Sequence, residues 1–487
     1  MAYDKISLIG SGEKTYRPFW STLARGVDGE CDIACETTRS VPEALRGTLY
    51  RVGPGIFERA GYRKTGLLDG DGIVHGFKID GDDVRYRCRF VQTDKFKEES
   101  AAGRFKYASW TTRAPGGVLK NLGGNLSKDD ASVTAYPIGE DIWVDGPISA
   151  PWRVDSETLE TLGLAPSLLN PGEDVEPHAK YDAASGTWTF FSRKVGRKTE
   201  LSAITIDRSG RVVGRASFIS PRACFMHDFF VTAHYAIWMF QPVFLRLTGF
   251  LMGMNSFLDG FDWRPQEGVI LAVLRKDGSE PPIFIDAPGR FMWHSVNAYE
   301  LGDEIVADFV GYDDPGMWVG EDPILRTVMR DEPGRHGPNG QFRRYIIDPR
   351  RASVREELIL DDNMEFPVVA EKEGCRPYTF FYTAAADPGC AFHHRIARVA
   401  PGSGETVSFD FGQTSIVCEP IFVSKPGRSD SGWLLTVRLD GVEAKSHLEI
   451  FDTDRLPDGP IATARIGRHL PITFHGCWRP SSKETQA

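Results

Sequence analysis

The chain has 487 residues, of which 41% are hydrophobic and 25% charged, and its formal net charge is −10 at pH 7. This composition is typical of a globular protein, and the acidic balance argues against nucleic-acid binding, which needs clustered lysine and arginine. The sequence has no run of 18 apolar residues and no apparent secretory signal, so we expect a cytoplasmic protein whose eight cysteines are reduced thiols.

Short strand-like segments recur along the whole chain. They are rich in β-branched and aromatic residues and end in glycine, proline, aspartate or serine; clear examples are 186–191, 235–240, 268–274, 304–310, 378–382, 432–438 and 447–451. Candidate amphipathic helices are few and short, at 40–45 and 156–163. The pattern predicts an all-β fold, and its regular spacing favours a β-propeller over a sandwich.

One segment, 242–258, is apolar, rich in methionine and phenylalanine, and too short and broken to span a bilayer. One interpretation is a helix that packs in the core or caps it. The other is an exposed apolar patch that dips into a membrane surface or admits an apolar substrate. The sequence leaves both interpretations open.

Four of the eleven histidines have similar surroundings, each beside a turn and within three positions of an aromatic residue: His178, His227, His294 and His475. They are at least 49 residues apart, which is too wide for a site built on one loop or helix. Such spacing suits a metal on the axis of a propeller, with each of several blades contributing one ligand. However, a single histidine beside aromatic residues is more often a packed core residue. Imidazole also suits zinc, copper, iron and nickel, so ligation and metal both stay open.

The four histidine segments resemble the ligand motifs of the carotenoid cleavage oxygenase family. Further segments resemble motifs of that family in the same order, from about residue 40 to about residue 480: 47–55, 68–75, 294–300, 365–369 and 418–423. Within the family the chain looks most similar to bacterial apocarotenoid oxygenases, with which it shares the stretches 101–103 and 233–236.

The resemblance implies a seven-bladed β-propeller, covered on its metal face by a dome of helices and loops, with one Fe(II) on the axis held by the four histidines. Residues 1–39 are expected to pack on the dome, and residues 40–487 to form a single catalytic domain. By motif, Glu365 and Glu419 each accept the second ring N–H of one ligating histidine. A third such glutamate is usual in the family; its position here is Pro147, and Asp145 is the candidate substitute.

The implied reaction is cleavage of a C=C bond by O₂ to give two carbonyl products, with carotenoids, apocarotenoids or phenolic stilbenes as substrates. The tyrosine that stilbene cleavers use falls at Trp110, and residues 145–150 contain no lysine, so a phenolate finds no evident partner. We therefore expect an apolar apocarotenoid, in a tunnel shaped by Trp110, Phe225, Trp293 and Phe474.

Three alternatives stay open. The first is cleavage of a stilbene or phenylpropene by the same kind of enzyme. The second is a metal-dependent hydrolase or lactonase on a propeller, a class whose sites usually include carboxylate ligands. The third is a propeller that binds without catalysis.

The other histidines are expected not to bind the metal. His75 is interpreted as structural, and His234 as packing or lining the dome. The pair His393 and His394 is expected at the surface. His469, six residues before His475, is the strongest competitor for the role of fourth ligand.

Overall fold

The computed structural model describes residues 14–15, 18–124, 128–165, 168–335, 338–428 and 431–481. Seven antiparallel sheets of four or more strands follow one another along the chain and form the blades of a propeller. The predicted all-β, seven-bladed architecture is confirmed. Strands alternate buried and exposed side chains or are buried on both faces, because each blade packs between two neighbours.

Blades 1 to 3 are built from the first part of the chain, and their strands are named in order across each sheet. Blade 1 contains Cys31–Ala34, Asp83–Phe90, Gly72–Asp80, Arg46–Pro54 and Gly476–Pro480. Blade 2 contains Thr161–Leu164, Trp152–Asp155, Asp141–Asp145 and Thr134–Ile138. Blade 3 contains Asp174–Asp182, Thr187–Lys194, Glu200–Ile206 and Val212–Ile219.

The other four blades follow in the same way. Blade 4 contains Phe229–Val231, Tyr235–Phe240, Val269–Arg275 and Ile283–Ala287. Blade 5 contains Phe291–Leu301, Glu304–Tyr312, Gln341–Asp348 and Ser353–Leu360. Blade 6 contains Asn363–Val369, Phe381–Ala386, Arg395–Val399 and Thr406–Asp410. Blade 7 contains Glu36–Thr37, Ala462–Arg465, Lys445–Asp452, Gly432–Asp440, Ser415–Val417 and Ile421–Ser424.

The two ends of the chain close the ring. Strand Gly476–Pro480 pairs with Arg46–Pro54 in blade 1, and Glu36–Thr37 adds an edge strand to blade 7. Closure joins segments more than 400 residues apart and removes the exposed edge of an open array. The division of the chain at residue 39 stays a prediction, and residues 1–13 and 16–17 lie outside the described residues.

The helices of the described residues are short and lie in connections between strands. The α-helices are Asp94–Ala102, Gly117–Asn121, Leu247–Leu251 and Ile324–Thr327. The 3₁₀ helices are Pro18–Ala24, Leu258–Gly260, Pro265–Glu267, Val328–Arg330, Glu371–Glu373 and Thr453–Asp458. The short paired strands of these connections are Lys14–Thr15 with Gly334–Arg335, Glu58–Arg59 with Tyr62–Arg63, and Val243–Leu245 with Phe261–Trp263. None of the described helices is long and apolar enough to cross a bilayer.

The two helices predicted at 40–45 and 156–163 are wrong. Both segments form turns that lead directly into strands, which begin at Arg46 and Thr161. Both segments are too short for the hydrogen bonds of a helix to offset the unfavourable free energy of helix nucleation. Pairing of the adjacent strand therefore decides their conformation.

His75 lies in the core of blade 1 and provides a test of how burial affects stability. Its Nδ1 is 2.8 Å from the hydroxyl oxygen of Tyr86, and the side chain is buried. Burial lowers the pKa of His75 to about 3. Below pH ~6.5 the His75 imidazole is therefore protonated in the unfolded chain but stays neutral in the folded chain. The folded state consequently loses stability as the pH drops from that value toward 3.

We expect wild-type protein to lose about 1.4 kcal/mol more stability than His75→Gln between pH 7.5 and pH 5.5, because the variant lacks the titrating group. Urea unfolding at the two pH values measures the difference. His234→Gln, at an exposed position, is the control and should behave as wild type. Equal losses in wild type and His75→Gln would contradict the prediction.

Candidate metal centre

The innermost strands of four blades carry the four histidines to the propeller axis. His178 lies within Asp174–Asp182 and His294 within Phe291–Leu301, while His227 and His475 come just before the inner strands of blades 4 and 1. Strand pairing is interrupted at His178 and at His294. Such β-bulges break the regular alternation of side chains and direct these imidazoles toward the axis.

The imidazoles lie close together, and three of them, all except His227, form one mutually close group. The Nε2 atoms of His178 and His227 are 2.9 Å apart, and those of His294 and His475 are 3.1 Å apart. One ring nitrogen from each of His178, His294 and His475 lies within 4.8 Å of the others. Metal–imidazole bonds of about 2.1 Å place two nitrogens about 3.0 Å apart at a 90° angle and about 3.4 Å apart at a tetrahedral angle. The 2.9 and 3.1 Å distances are therefore those of neighbouring ligands at about 90°.

The backbone at His178 is left-handed, with a φ of 76°, which a residue other than glycine rarely adopts. The Tyr136 hydroxyl stabilises this turn by accepting the backbone N–H groups of His178 and Ala179, at 2.9 and 3.1 Å. The same hydroxyl donates to Asp145 at 3.1 Å. Asp145, the candidate for the third glutamate's role, therefore holds His178 through Tyr136 and contacts no imidazole, so that expectation is corrected.

Two buried glutamates contact two of the histidines from behind. Glu365 accepts the Nδ1–H of His294, and Glu419 accepts the Nδ1–H of His475 at 2.7 Å. These hydrogen bonds fix the tautomer that leaves Nε2 free to bind a metal. Burial alone would raise the pKa of both carboxyl groups, but the facing imidazoles hold each below its usual range.

Arg51 stabilises the Glu419 carboxylate from a completely buried position. Its Nη1 donates to Glu419 at 2.7 Å and its Nη2 donates to the carbonyl oxygen of Phe474 at 2.7 Å. The backbone N–H of Gly476 also donates to Glu419, at 3.1 Å. Arg51 thus joins blade 1 to the ligand His475, a role that no local feature of the sequence indicates.

The other two histidines have no carboxylate partner among the described residues. Pro147, which the sequence alignment predicts at the position of the third glutamate, lines the same cavity as His227. The ring of His227 packs against an aromatic side chain. It lies edge-on to Trp293, with the ring centroids 4.8 Å apart.

Burial lowers the pKa of three of the four imidazoles, which are therefore neutral at neutral pH. Burial, reinforced by the neighbouring imidazoles, holds the pKa of His178 and of His227 well below the usual range. Burial also lowers the pKa of His475, although Glu419 opposes the shift. Neutral imidazoles leave the full charge on a bound cation, and their lone pairs are available to it.

A cavity lies directly over the histidines, beneath the connections between blades. Its walls are mostly apolar and include the side chains of Trp110, Trp293, Phe366, Phe392 and Phe474. Phe225 lies behind this wall, where it packs against Trp293 and Trp318 at centroid distances of 5.9 and 4.6 Å. Three of the four predicted tunnel residues therefore line the cavity, and Phe225 supports them.

Two of the other described histidines lie away from the quartet. His469 is 3.2 Å from the carbonyl oxygen of Arg25, and His234 pairs with Glu300 at the surface. The expectation that His393 and His394 lie at the surface is wrong, because both are buried, at 8% and 1% exposure. His393 lines the cavity, and burial lowers its pKa to about 4. Sequence context did not reveal this, because the loop before them is held by Asn339 and Asn363, which are distant in sequence.

Comparison with known proteins gives consistent matches along almost the whole chain. The sequence profile of the retinal pigment epithelial membrane protein family matches residues 25–480. Apocarotenoid-15,15'-oxygenase from Synechocystis is 30% identical over 90% of this chain and 91% of that protein. Isoeugenol monooxygenase from Pseudomonas nitroreducens is 26% identical over 91% of this chain and 94% of that protein. The solved structure of the cobalt-substituted Synechocystis enzyme superposes with a TM-score of 0.89 at 29% identity, covering 96% of this chain and 100% of the other.

Proposed function

We propose a specific activity for this chain, which belongs to the retinal pigment epithelial membrane protein family of carotenoid cleavage oxygenases. The proposal is that it is a non-haem Fe(II) dioxygenase. In this proposal it cleaves a C=C bond of an apocarotenoid with O₂ to give two carbonyl products. The observation that carries the proposal is the cluster of four imidazoles beneath an apolar cavity.

The donor set fits iron. Imidazole is a suitable ligand for iron, and the nitrogen–nitrogen distances of 2.9 and 3.1 Å match neighbouring ligands at about 90°. Sites of the hydrolase class usually include a carboxylate ligand. Two carboxylates line the cavity here, but Asp130 pairs with Lys95 at 2.8 Å and Glu365 accepts the Nδ1–H of His294. When bound, Fe(II) supplies activation of O₂. The protein's residues hold the imidazoles in one tautomer, exclude water and orient the alkene.

The cavity favours an apolar substrate. Trp110 stands where stilbene cleavers have a phenol-binding tyrosine, and it packs edge-on against Phe257 at 5.7 Å. A second candidate, cleavage of a phenylpropene or stilbene, is favoured by His393, whose neutral imidazole lines the cavity and is able to hydrogen-bond a phenol. Similarity to isoeugenol monooxygenase agrees with this candidate.

An exposed apolar patch supports contact with a membrane. The segments 117–122 and 247–254 lie side by side, joined by a 2.7 Å hydrogen bond from Gly123 N–H to the carbonyl oxygen of Leu251. Their exposed side chains form the patch: Val118, Leu119, Leu122, Leu247, Leu251, Met252 and Met254. Phe250, in the same segment, is buried. The segment 242–258 therefore packs partly in the core and is partly exposed as an apolar surface.

The patch is linked to the cavity. Leu258, a few residues beyond it, donates its backbone N–H to Trp110, whose side chain lines the cavity. In our proposal the patch rests on a lipid surface on the cytoplasmic side and an apolar substrate enters from there. All eight cysteines are described, and all are free thiols in the fold.

We expect Leu119→Glu combined with Leu251→Glu to reduce binding to phosphatidylcholine vesicles at least 10-fold, since charge on the patch opposes burial in lipid. Leu119 is 86% exposed and Leu251 46%, so folding should be unaffected. Flotation with the vesicles measures binding. Leu358→Glu, exposed on a blade 5 strand, is the control. Equal flotation of all three proteins would contradict the membrane proposal.

The activity is tested with anaerobically iron-loaded protein. O₂ uptake and product masses are followed with an apocarotenal, isoeugenol and a hydroxystilbene. Two carbonyl products from the apocarotenal support the first proposal, and cleavage of only the phenolic substrates supports the second. No uptake with any of them, together with one zinc per chain in the purified protein, would favour the hydrolase alternative and overturn both.

Glu419→Gln tests the carboxylate behind His475. The amide still packs in place but no longer offers a charged acceptor to Nδ1–H, so metal affinity should fall about 10–100-fold. Cobalt titration of the apoprotein gives the affinity. Glu449→Gln is a matched control, because Glu449 is a buried glutamate of blade 7 that pairs with Arg438 away from the quartet. Equal affinities of the two variants would show that Glu419 does not support the ligand.

A further inference from the structure

A second group of metal-binding side chains lies outside the four-histidine site, on the loop 387–394 of blade 6. The loop joins strands Phe381–Ala386 and Arg395–Val399. One ligand atom from each of Asp387, Cys390 and His394 lies within 4.8 Å of the others. Cys390 and His394 are buried, while the Asp387 side chain is 35% exposed, which leaves a route from solvent.

The backbone of this loop is held in a fixed turn. The Cys390 N–H donates to the Asp387 carbonyl oxygen at 3.1 Å, and the ligand atoms of the two side chains lie within 4.8 Å of each other. The Asn363 amide donates to the carbonyl oxygens of both residues, at 3.1 and 2.8 Å. Gly389, with a φ of 80°, donates its N–H to Asn339 at 3.0 Å. These hydrogen bonds hold the loop, so the candidate ligands are in position before a metal binds.

The His394 imidazole is oriented as a ligand. Its Nδ1–H donates to the Asp410 carboxylate at 2.9 Å, so Nε2 carries the lone pair. That Nε2 faces the Asp387 carboxylate at 3.6 Å and accepts the Asp387 N–H at 3.4 Å. Ligand atoms on one tetrahedral ion lie about 3.3–3.7 Å apart, so little movement is needed. Gln413 also donates to the facing Asp387 oxygen, at 2.9 Å, and that oxygen has a second lone pair.

We propose that Asp387, Cys390 and His394 form a second metal site that takes a zinc-like divalent cation and closes the loop 387–394. Thiolate, imidazole and carboxylate together select zinc or cobalt, with water at the fourth position. Binding releases the thiol proton of Cys390 to solvent and displaces the Asp387 N–H from Nε2 of His394, while no other covalent bond changes.

Occupation of this site would act on the cavity. Ala391, Phe392 and His393 lie between the ligands Cys390 and His394, and all three line the cavity above the four histidines. Phe392 also packs edge-on against Trp20, with the centroids 4.8 Å apart. A cation that joins Asp387 and Cys390 to His394 therefore fixes this wall of the cavity.

The experiment titrates Co²⁺ into His475→Ala protein under anaerobic, reducing conditions, so that the four-histidine site is impaired. Cobalt bound by a thiolate gives a near-ultraviolet charge-transfer band, which cobalt bound by imidazoles alone does not. We expect the band to appear with about one equivalent of Co²⁺. We also expect it to be lost in the additional variant Cys390→Ser and to need at least 10-fold more Co²⁺ in Asp387→Asn.

The matched control is Cys375→Ser, which removes a similarly buried thiol on another loop of blade 6 and should keep the band. Circular dichroism establishes whether each variant is folded. If Cys390→Ser does not fold, the Co²⁺ requirement of Asp387→Asn decides the outcome. Absence of the band from His475→Ala protein, or its persistence in Cys390→Ser, overturns the proposal. Because the readout requires no iron and no substrate, it stands or falls separately from the oxygenase activity.

Discussion

Replacing His475 with alanine is expected to reduce metal affinity and alkene cleavage by more than about 100-fold, beyond the effect of changing a supporting carboxylate. The imidazole is one of four that meet on the axis, with its Nε2 3.1 Å from that of His294. Its loss also leaves Glu419 and Arg51 facing a space without their partner. The purified variant should therefore contain well under one iron per chain.

His469→Ala is the matched control for this prediction. His469 lies six residues before His475 and is also buried, but its ring points to the Arg25 carbonyl oxygen. Iron content by mass spectrometry and initial rates of O₂ uptake should match those of the wild type. If His469→Ala lost the metal and His475→Ala kept it, the assignment of the fourth ligand would be reversed.

Replacing Lys95 with methionine is expected to destabilise the protein by about 3–5 kcal/mol, because it leaves buried carboxylates unpaired. The Lys95 ammonium group is completely buried and pairs with Asp71 at 2.6 Å, Asp130 at 2.8 Å and Glu99 at 3.3 Å. Arg59 still pairs with Asp71 in the variant, but Asp130 and Glu99 lose their cation. Urea unfolding measures the change.

The deficit in Lys95→Met should depend on pH. Burial already raises the pKa of Asp130 to about 7 while Lys95 is present, and removing the cation raises it further. A carboxyl group whose pKa is higher in the folded state loses stability as the pH rises through that value, so the deficit should be larger at pH 8 than at pH 5.5. Lys97→Met, which removes an exposed pair with Asp94, should cost less than about 1 kcal/mol. Equal effects of the two substitutions would contradict the prediction.

Much of the architecture could be predicted from local sequence. Alternating apolar residues between turns, as in 235–240 and 432–438, indicate strands that are buried on at least one face, and both segments are strands in the fold. The four histidines stood out by their shared surroundings and by resemblance to family motifs. The same was true of Glu365 and Glu419, because apolar neighbours made an unpaired carboxylate costly.

Other parts of the site depend on contacts between distant segments. Arg51 reaches Phe474 across 423 residues because the chain ends pair within blade 1. Tyr136 and Asp145 hold the left-handed turn at His178 from the neighbouring blade. No periodicity within one segment encodes which blade edges meet, so these roles were not visible in the sequence.

By itself the sequence determined the strand pattern, the residues that carry the candidate chemistry and the order in which they occur. Only the tertiary structure decided that two pairs of imidazole nitrogens lie about 3 Å apart, that Glu365 and Glu419 each meet one imidazole, and that His393 and His394 are buried. The physical reason is that local alternation reports burial of a face, whereas closure of the ring sets the distances between faces.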